Sequence, residues 1–284
     1  MHYLFIELFC YLFINYYFCK VTCEAVIQCY INRCNEVNVY LNAIVETRYE
    51  ESLQEARQID IDIKNGVRSV EQMERETPLL GIPITVKESI AVKGMSNQGG
   101  RKFKTKVIAA EDAPIVKNVK KHGGIILLVS NTPELCLCWE TYNKVTGRTN
   151  NPFNFRKTAG GSSGGEAALL GAGASLLGLG SDVAGSSRLP AMFTGVWGHK
   201  PTPYVVSSFG HQPGCDDPAW GTFFTTAPMC RYAKDLPLFL ECMRDKEGPK
   251  VNLMQQVNVE KIKFFFMDSD CSGLTQVMID SHFS

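Results

Sequence analysis

Residues 160–173, GGSSGGEAALLGAG, and residues 178–191, GLGSDVAGSSRLPA, decide how this chain is read. From Gly160 to Gly185, nine of 26 positions are glycine and none is proline, yet Leu169-Leu170, Leu176-Leu177 and Leu179 interrupt them. Flexible linkers do not carry paired leucines, so these glycines let the backbone approach something closely inside a packed core. Each stretch also sets serines among small residues: Ser162 and Ser163 in the first, Ser186 in the second, with the acid Asp182 and the base Arg188 on either side of Ser186. GxSxG fits twice, centred on Ser162 or on Ser163, but a nucleophile elbow needs a strand directly before its serine, and Asn151-Pro152-Phe153-Asn154 is a turn-rich approach. Phosphate-loop readings fail because no GxxxxGK[ST] occurs, and neither Gly171-Ala172-Gly173 nor Gly178-Leu179-Gly180 continues into a dinucleotide fingerprint.

Upstream of the serines the texture is that of an α/β protein. Ile82 to Val86 and Ile125 to Val129 are β-branched runs that read as buried strands, and Ala113 to His122 between them reads as a helix. Strand, helix, strand favours parallel neighbours, with ligands beyond the carboxyl ends of the strands, which is where Lys87 falls. Between Val21 and Lys64 apolar residues recur at helical spacing and predict a helical pair, with a break in 35–42 and a stop at Asn65-Gly66. Ile44 and Val45 belong to the second helix of that pair. Downstream, Met192, Phe193 and Trp197 read as core with a share in lining a channel, His199 as a structural histidine, and Ile262 to Phe266 as a last strand.

Composition narrows the function classes. Lys+Arg 29 against Asp+Glu 29 leaves no basic field for phosphate backbones, so nucleic acid is not an expected partner. Eleven cysteines form no CxxC pair, five crowd into the first 34 residues, and the odd count reads as unbridged thiols rather than a metal site. Residues 1–20 are an apolar aromatic segment whose core, Tyr3 to Phe18, is shorter than the about 20 residues needed to span a bilayer. It lacks the basic leader and cleavage site of a secretory signal. A membrane anchor, a start assigned upstream of the real domain and a signal peptide remain open for it. Membrane association through this segment is the expected localisation, with the cytoplasm as the alternative.

GIPITVKES (Gly81 to Ser89) joins the two opening stretches in a fixed order, and together they resemble the amidase signature family of serine hydrolases. GVWGHKPTP (Gly195 to Pro203) and APMCRYAKDL (Ala227 to Leu236) are similar to the type-2 fatty acid amide hydrolases within it. The resemblance runs from about Val21 to about Asp268, leaving 269–284 as a divergent tail, and full-length members are nearly twice as long. It implies the amidase-signature α/β fold, a mixed central sheet with helices on both faces, here represented by its N-terminal half to two-thirds.

By position, the resemblance makes Ser186 the acyl-accepting nucleophile, Ser162 the bridging serine on a cis peptide bond, and Lys87 the base. It gives the oxyanion hole to the N–H groups of Val183, Ala184, Gly185 and Ser186, and supporting roles to Ser163, Asp182 and Arg188, the last two as a bracing pair. The chemistry is coherent: a serine hydroxyl is a poor nucleophile until a base takes its proton, no histidine lies in these motifs, and a lysine can act as base only when burial keeps it neutral. No metal and no organic cofactor is implied. The substrate expected is a small-molecule fatty acid amide or related amide, and a homodimer is compatible with the sequence. Two departures stand out. Ala184 occupies a usual glycine position, where a positive φ would cost about 1 kcal/mol. Ser187 replaces a large aliphatic residue and would leave a small cavity. The rivals are an amidotransferase-type amidase subunit, a truncated non-catalytic homologue, and an elbow hydrolase using Ser163 with His199 or His211.

Overall fold

The computed structural model describes residues 21–263 apart from 215–216, 246–247, 250 and 254. Up to Val251 the chain is one compact unit, and the short second unit that begins at Asn252 carries a single 3-10 turn, Val259–Lys261, among its described residues. Ile262 and Lys263 are exposed and not in a strand, so the strand expected at Ile262 to Phe266 does not begin where the sequence placed it. Residues 264–266 of that expectation, together with 1–20 and the tail 269–284, lie outside the described residues. No helix among the described residues is long and apolar enough to cross a membrane.

Thr22 caps helix α1 (Cys23–Leu41) by accepting a hydrogen bond from the Ala25 N–H at 3.1 Å. Its buried stripe of Ile27, Ile31, Cys34, Val37 and Leu41 continues past residue 35, so the break expected in 35–42 occurs only at Asn42, in the left-handed conformation at φ 49°. Asn38 Oδ1 then accepts from the N–H groups of Ala43 and Ile44 and turns the chain into edge strand β1 (Ile44–Thr47). Ile44 and Val45 are therefore strand residues, not the start of the second helix. Four residues are too few for periodicity to separate the two states. Helix α2 (Tyr49–Lys64) follows and ends before Gly66 at φ 63°, and a short α3 (Val70–Glu76) leads to the sheet.

Strands β2 (Pro83–Lys87) and β3 (Ile125–Ser130) are parallel and are joined through helix α4 (Pro114–Lys121), as the strand, helix, strand order predicts. The hairpin β4 (Tyr142–Asn143) and β5 (Gly147–Arg148) stands apart from the main sheet. Helix α5 (Gly164–Gly171) leads into β6 (Leu177–Asp182), which pairs parallel to β2. Beyond it come α6 (Arg188–Thr194), β7 (Trp197–Gly198), α7 (Pro218–Phe223), β8 (Thr225–Cys230) and α8 (Leu236–Met243). The six-stranded sheet has the order β1-β3-β2-β6-β8-β7, parallel in the middle and antiparallel towards both edges. Every residue of β2, β3 and β6 is buried, as strands covered on both faces must be. One core joins α1, α2, β3 and α5 through Ile27, Leu53, Leu127 and Leu169.

The mixed sheet with helices on both faces matches the architecture expected from the sequence. Not all of the expected core does: Met192, Phe193 and Trp197 are 65, 41 and 53 % exposed, because the two-turn helix α6 buries Pro190, Ala191 and Thr194 instead. The glycine-rich segment packs as anticipated. A Cβ on Gly161 would lie 2.6 Å from the Cys138 carbonyl oxygen, and one on Gly165 would lie 2.5 Å from the Asn131 backbone. Helix α5 thus starts pressed against the end of β3. We expect Gly165→Ala to lower stability by roughly 1–3 kcal/mol, the usual cost of overpacking. Thermal unfolding measures it, and an unchanged Tm would mean that α5 does not need this close seat.

Candidate active site

Lys87 is the last residue of β2 and lies at the carboxyl end of the sheet's centre, beside Ser130 of β3. Its side chain is fully buried, with Nζ 2.6 Å from Ser162 Oγ and 2.9 Å from Ser181 Oγ. Burial lowers its pKa, against the smaller opposing pull of Cys136, Asp182 and Glu166. Ser162 precedes α5 on a cis Gly161–Ser162 peptide bond, and Ser181 belongs to β6. The Ser163 N–H donates to the Ser186 carbonyl at 2.9 Å and ties the two serine loops together. Ser162, Ser181 and Ser186 line one cleft of about 240 Å³, with Cys136, His211 and Phe224 on its walls. Ser186 is 5 % exposed.

The turn after β6 is built on Asp182. Its Oδ1 accepts from the Gly185 N–H (2.8 Å) and Arg188 NH2 (2.8 Å), and its Oδ2 from the Ser187 N–H (3.0 Å), Ser187 Oγ (2.8 Å) and Arg188 Nε (3.0 Å). Burial alone would raise this carboxyl's pKa, but the Arg188 fork and the N–H groups of Gly185 and Ser187 hold it well below the usual carboxylate range. The Gly185 N–H, expected among the oxyanion donors, donates to this carboxylate in the structure. The positive φ of the turn falls on Gly185, at 107°, and not on Ala184, so the alanine is unstrained. Ser187 leaves no polar group idle, since its hydroxyl is bound to Asp182.

Ser163 Oγ donates to the Ser181 carbonyl at 3.3 Å, and no strand precedes Gly160, where residues 152–157 are turns and bends. The elbow reading centred on Ser163 therefore lacks the strand it requires. His199 stands apart, an exposed residue whose N–H donates to the Pro228 carbonyl at 3.1 Å and whose pKa is lowered by partial desolvation of the ring.

Three groups at the site, Ser181, Cys136 and Glu166, carry no assignment from the sequence, and a fourth, His211, enters only as a partner of Ser163 in the rival elbow reading. Ser181 Oγ is the second hydroxyl on Lys87 Nζ, at 2.9 Å. His211, 5 % exposed, places Nε2 at 3.0 Å from Ser181 Oγ and 2.9 Å from Ser89 Oγ, and Nδ1 at 3.0 Å from the Pro213 carbonyl. Burial pushes the Cys136 thiol up, yet the neighbouring Lys87, His211 and Thr132 outweigh it and bring its pKa down to about 5. Glu166, in the first turn of α5 and fully buried, accepts from Thr85 Oγ1 at 2.6 Å, and burial lifts its pKa to about 7. The sequence signal for Glu166 is its place directly after the serine-glycine run. His211 has no such signal, because its partners are 122 and 30 residues away. No disulfide links Cys29, Cys34, Cys136, Cys138, Cys230 or Cys242 among the described residues.

A buried lysine joined to a serine loop at the carboxyl end of a mixed sheet can serve serine acyl transfer, and the comparisons with known proteins give the chain's family. The amidase family model matches residues 25–263, and the chain belongs to that family. It is 43 % identical over 246 residues to fatty-acid amide hydrolase 2-A of Danio rerio, covering 87 % of this chain and 46 % of that protein. It is 40 % identical over 261 residues to fatty-acid amide hydrolase 2 of Homo sapiens, covering 92 % and 49 %. A solved fatty acid amide hydrolase structure superposes with a TM-score of 0.71 at 27 % identity, over 82 % of this chain and 40 % of the other. The chain spans about half the length of these relatives.

Glu166 gives a pH-dependent expectation. A carboxyl lifted from 4.5 to about 7 binds more protons in the folded than in the unfolded chain. Stability therefore falls as pH rises through that window, and the deficit persists above it. Glu166→Gln, which keeps an acceptor for Thr85, should raise the Tm at pH 8 and leave it nearly unchanged at pH 4.5. Equal Tm differences at both pH values would show that no buried proton is held there.

Proposed function

We propose that this chain carries the acyl-transfer machinery of an amide hydrolase, with Ser186 as nucleophile, Ser162 as proton relay and Lys87 as base. The observation that carries the reading is the buried Lys87 Nζ, 2.6 Å from the Oγ of Ser162, which lines the same cleft as Ser186. In the first step, neutral Lys87 takes the Ser162 proton while Ser162 takes that of Ser186, and Ser186 Oγ attacks the amide carbonyl carbon. The N–H groups of Val183, Ala184 and Ser186 receive the developing oxyanion, with Asp182 and Arg188 holding their turn rigid. As the intermediate collapses, the C–N bond breaks and the amine leaves with the proton returned through Ser162. Water then repeats the sequence on the acyl-enzyme, releasing the acid and restoring Ser186.

Fatty acid amides are the proposed substrates. The similarity to fatty-acid amide hydrolases supports this, as does a second, open groove that shares Trp220, Phe224 and His211 with the small cleft and adds Val206, Phe209 and Tyr204 beside polar Ser207, Ser208 and Gln212. The apolar Tyr3 to Phe18 segment is proposed to hold the protein at the membrane in which such amides dissolve.

The test is covalent labelling of the full-length protein with a fluorophosphonate, alongside oleamide hydrolysis. The adduct is expected on Ser186 and should vanish in Ser186→Ala. Lys87→Ala should lower turnover by at least ~100-fold, the low end for general acid–base catalysis, without loss of folding. Because burial lowers the Lys87 pKa, wild-type activity should fall on the acid side as the amine takes up a proton. An adduct on Ser163, or near-normal turnover in Lys87→Ala, would overturn the assignment.

A further inference from the structure

His211 lies outside every motif that marks the site, yet its ring closes a hydrogen-bonded chain that ends on Lys87. The Pro213 carbonyl, 3.0 Å from Nδ1, can only accept, so in the neutral imidazole it assigns the proton to Nδ1 and leaves a lone pair on Nε2. That lone pair faces Ser181 Oγ at 3.0 Å and Ser89 Oγ at 2.9 Å, and both can meet it only as O–H donors. Ser181 Oγ, with its proton turned to His211, offers its own lone pairs to Lys87 Nζ at 2.9 Å. A neutral amine that donates its two N–H groups to Ser181 and to the Cys136 sulfur has its lone pair left for Ser162 Oγ, at 2.6 Å.

We propose that His211 is a positioning residue, which acts through Ser181 to aim the lone pair of Lys87 at Ser162. The inference rests on the reading of Lys87 as base. Three features hold the ring in this orientation. It is 5 % exposed, it packs on Phe224 with centroids 4.6 Å apart, and the Gln212 N–H donates to the Ser89 carbonyl at 2.6 Å, which fixes the segment that carries it. Without the acceptor at Nε2, the Ser181 hydroxyl is free to turn its proton towards Nζ. It would then compete with Ser162 for the same lone pair, and the proton from Ser186 would have no aligned receiver.

Two amide substitutions separate aiming from loop bracing. His211→Gln can place its carbonyl oxygen where Nε2 was and so keeps an acceptor for Ser181, whereas His211→Asn can keep only the donor to Pro213. In the full-length protein, His211→Asn is expected to lower kcat for oleamide hydrolysis and the rate of fluorophosphonate labelling of Ser186 by about tenfold, the worth of one buried hydrogen bond, with KM unchanged. His211→Gln is expected to restore most of that loss. The opposite ranking, with Asn active and Gln impaired, would make His211 a brace for the Pro213 loop and overturn the proposal. If both variants are impaired, the Ser181→Ala background decides: His211→Asn should cost nothing further there, and additive losses would overturn the proposal. Lys87→Ala serves as the control for the underlying reading. Labelling that survives it removes the base assignment, whereas labelling that is lost there and intact in His211→Asn removes only the positioning role.

Discussion

The site depends on a lysine amine carried fully out of water and held by the hydroxyls of Ser162 and Ser181 with the Cys136 sulfur beside it. A buried ammonium next to a free carboxylate would stay charged and could not accept a proton. Three acidic groups bear on Lys87, Cys136 most strongly, and the two carboxyls among them are each satisfied by other means. Asp182 gives both oxygens to the Arg188 fork and to the N–H groups of its own turn, and Glu166, fully buried at the start of α5, holds its own proton up to about pH 7. Ser162, Ser181 and the Cys136 sulfur remain at Nζ, and the two hydroxyls can turn to suit either protonation state.

The fold explains how these groups meet. Lys87 ends β2, and Ser181 and Asp182 end the adjacent parallel β6, whose register sets Val86 opposite Leu179, so the carboxyl ends of both strands open on one side. The serine loop enters the same space because α5 can start hard against Asn131, with only hydrogen atoms at Gly161 and Gly165 facing the neighbouring backbone. Larger residues at either position would push Ser162 away from the lysine, which ties the glycine content of the segment to the distance that the chemistry needs.

Much of this is legible in the sequence because it is local. The serine-glycine runs, the β-branched strands and the lysine that follows Val86 are contiguous strings, and each reports its own backbone requirement. Hydrophobicity misleads where elements are very short. Ile44 and Val45 fit a helical stripe but form an edge strand once Asn42 ends α1, and Met192, Phe193 and Trp197 look like core residues but are exposed on and just after a two-turn helix. Cys136 is invisible as a site member, and His211 is offered only as a partner of Ser163 in the elbow reading, because only the folded chain brings them to Lys87: the contact of His211 with Ser89 spans 122 residues.

The two departures from the family pattern have one physical account in the Asp182 turn. A turn this tight needs one residue with positive φ, and Gly185 supplies it, so the preceding residue is free to carry a methyl group. A large aliphatic side chain at position 187 would fill space, but a serine there places a third kind of donor on Asp182, after backbone N–H and guanidinium, at 2.8 Å. That added bond compensates for the smaller volume by fixing the carboxylate on which the turn is wound. The same carboxylate draws the Gly185 N–H inward. The proposed oxyanion site is then left to Val183, Ala184 and Ser186, whose N–H groups belong to a turn that is already rigid before substrate arrives.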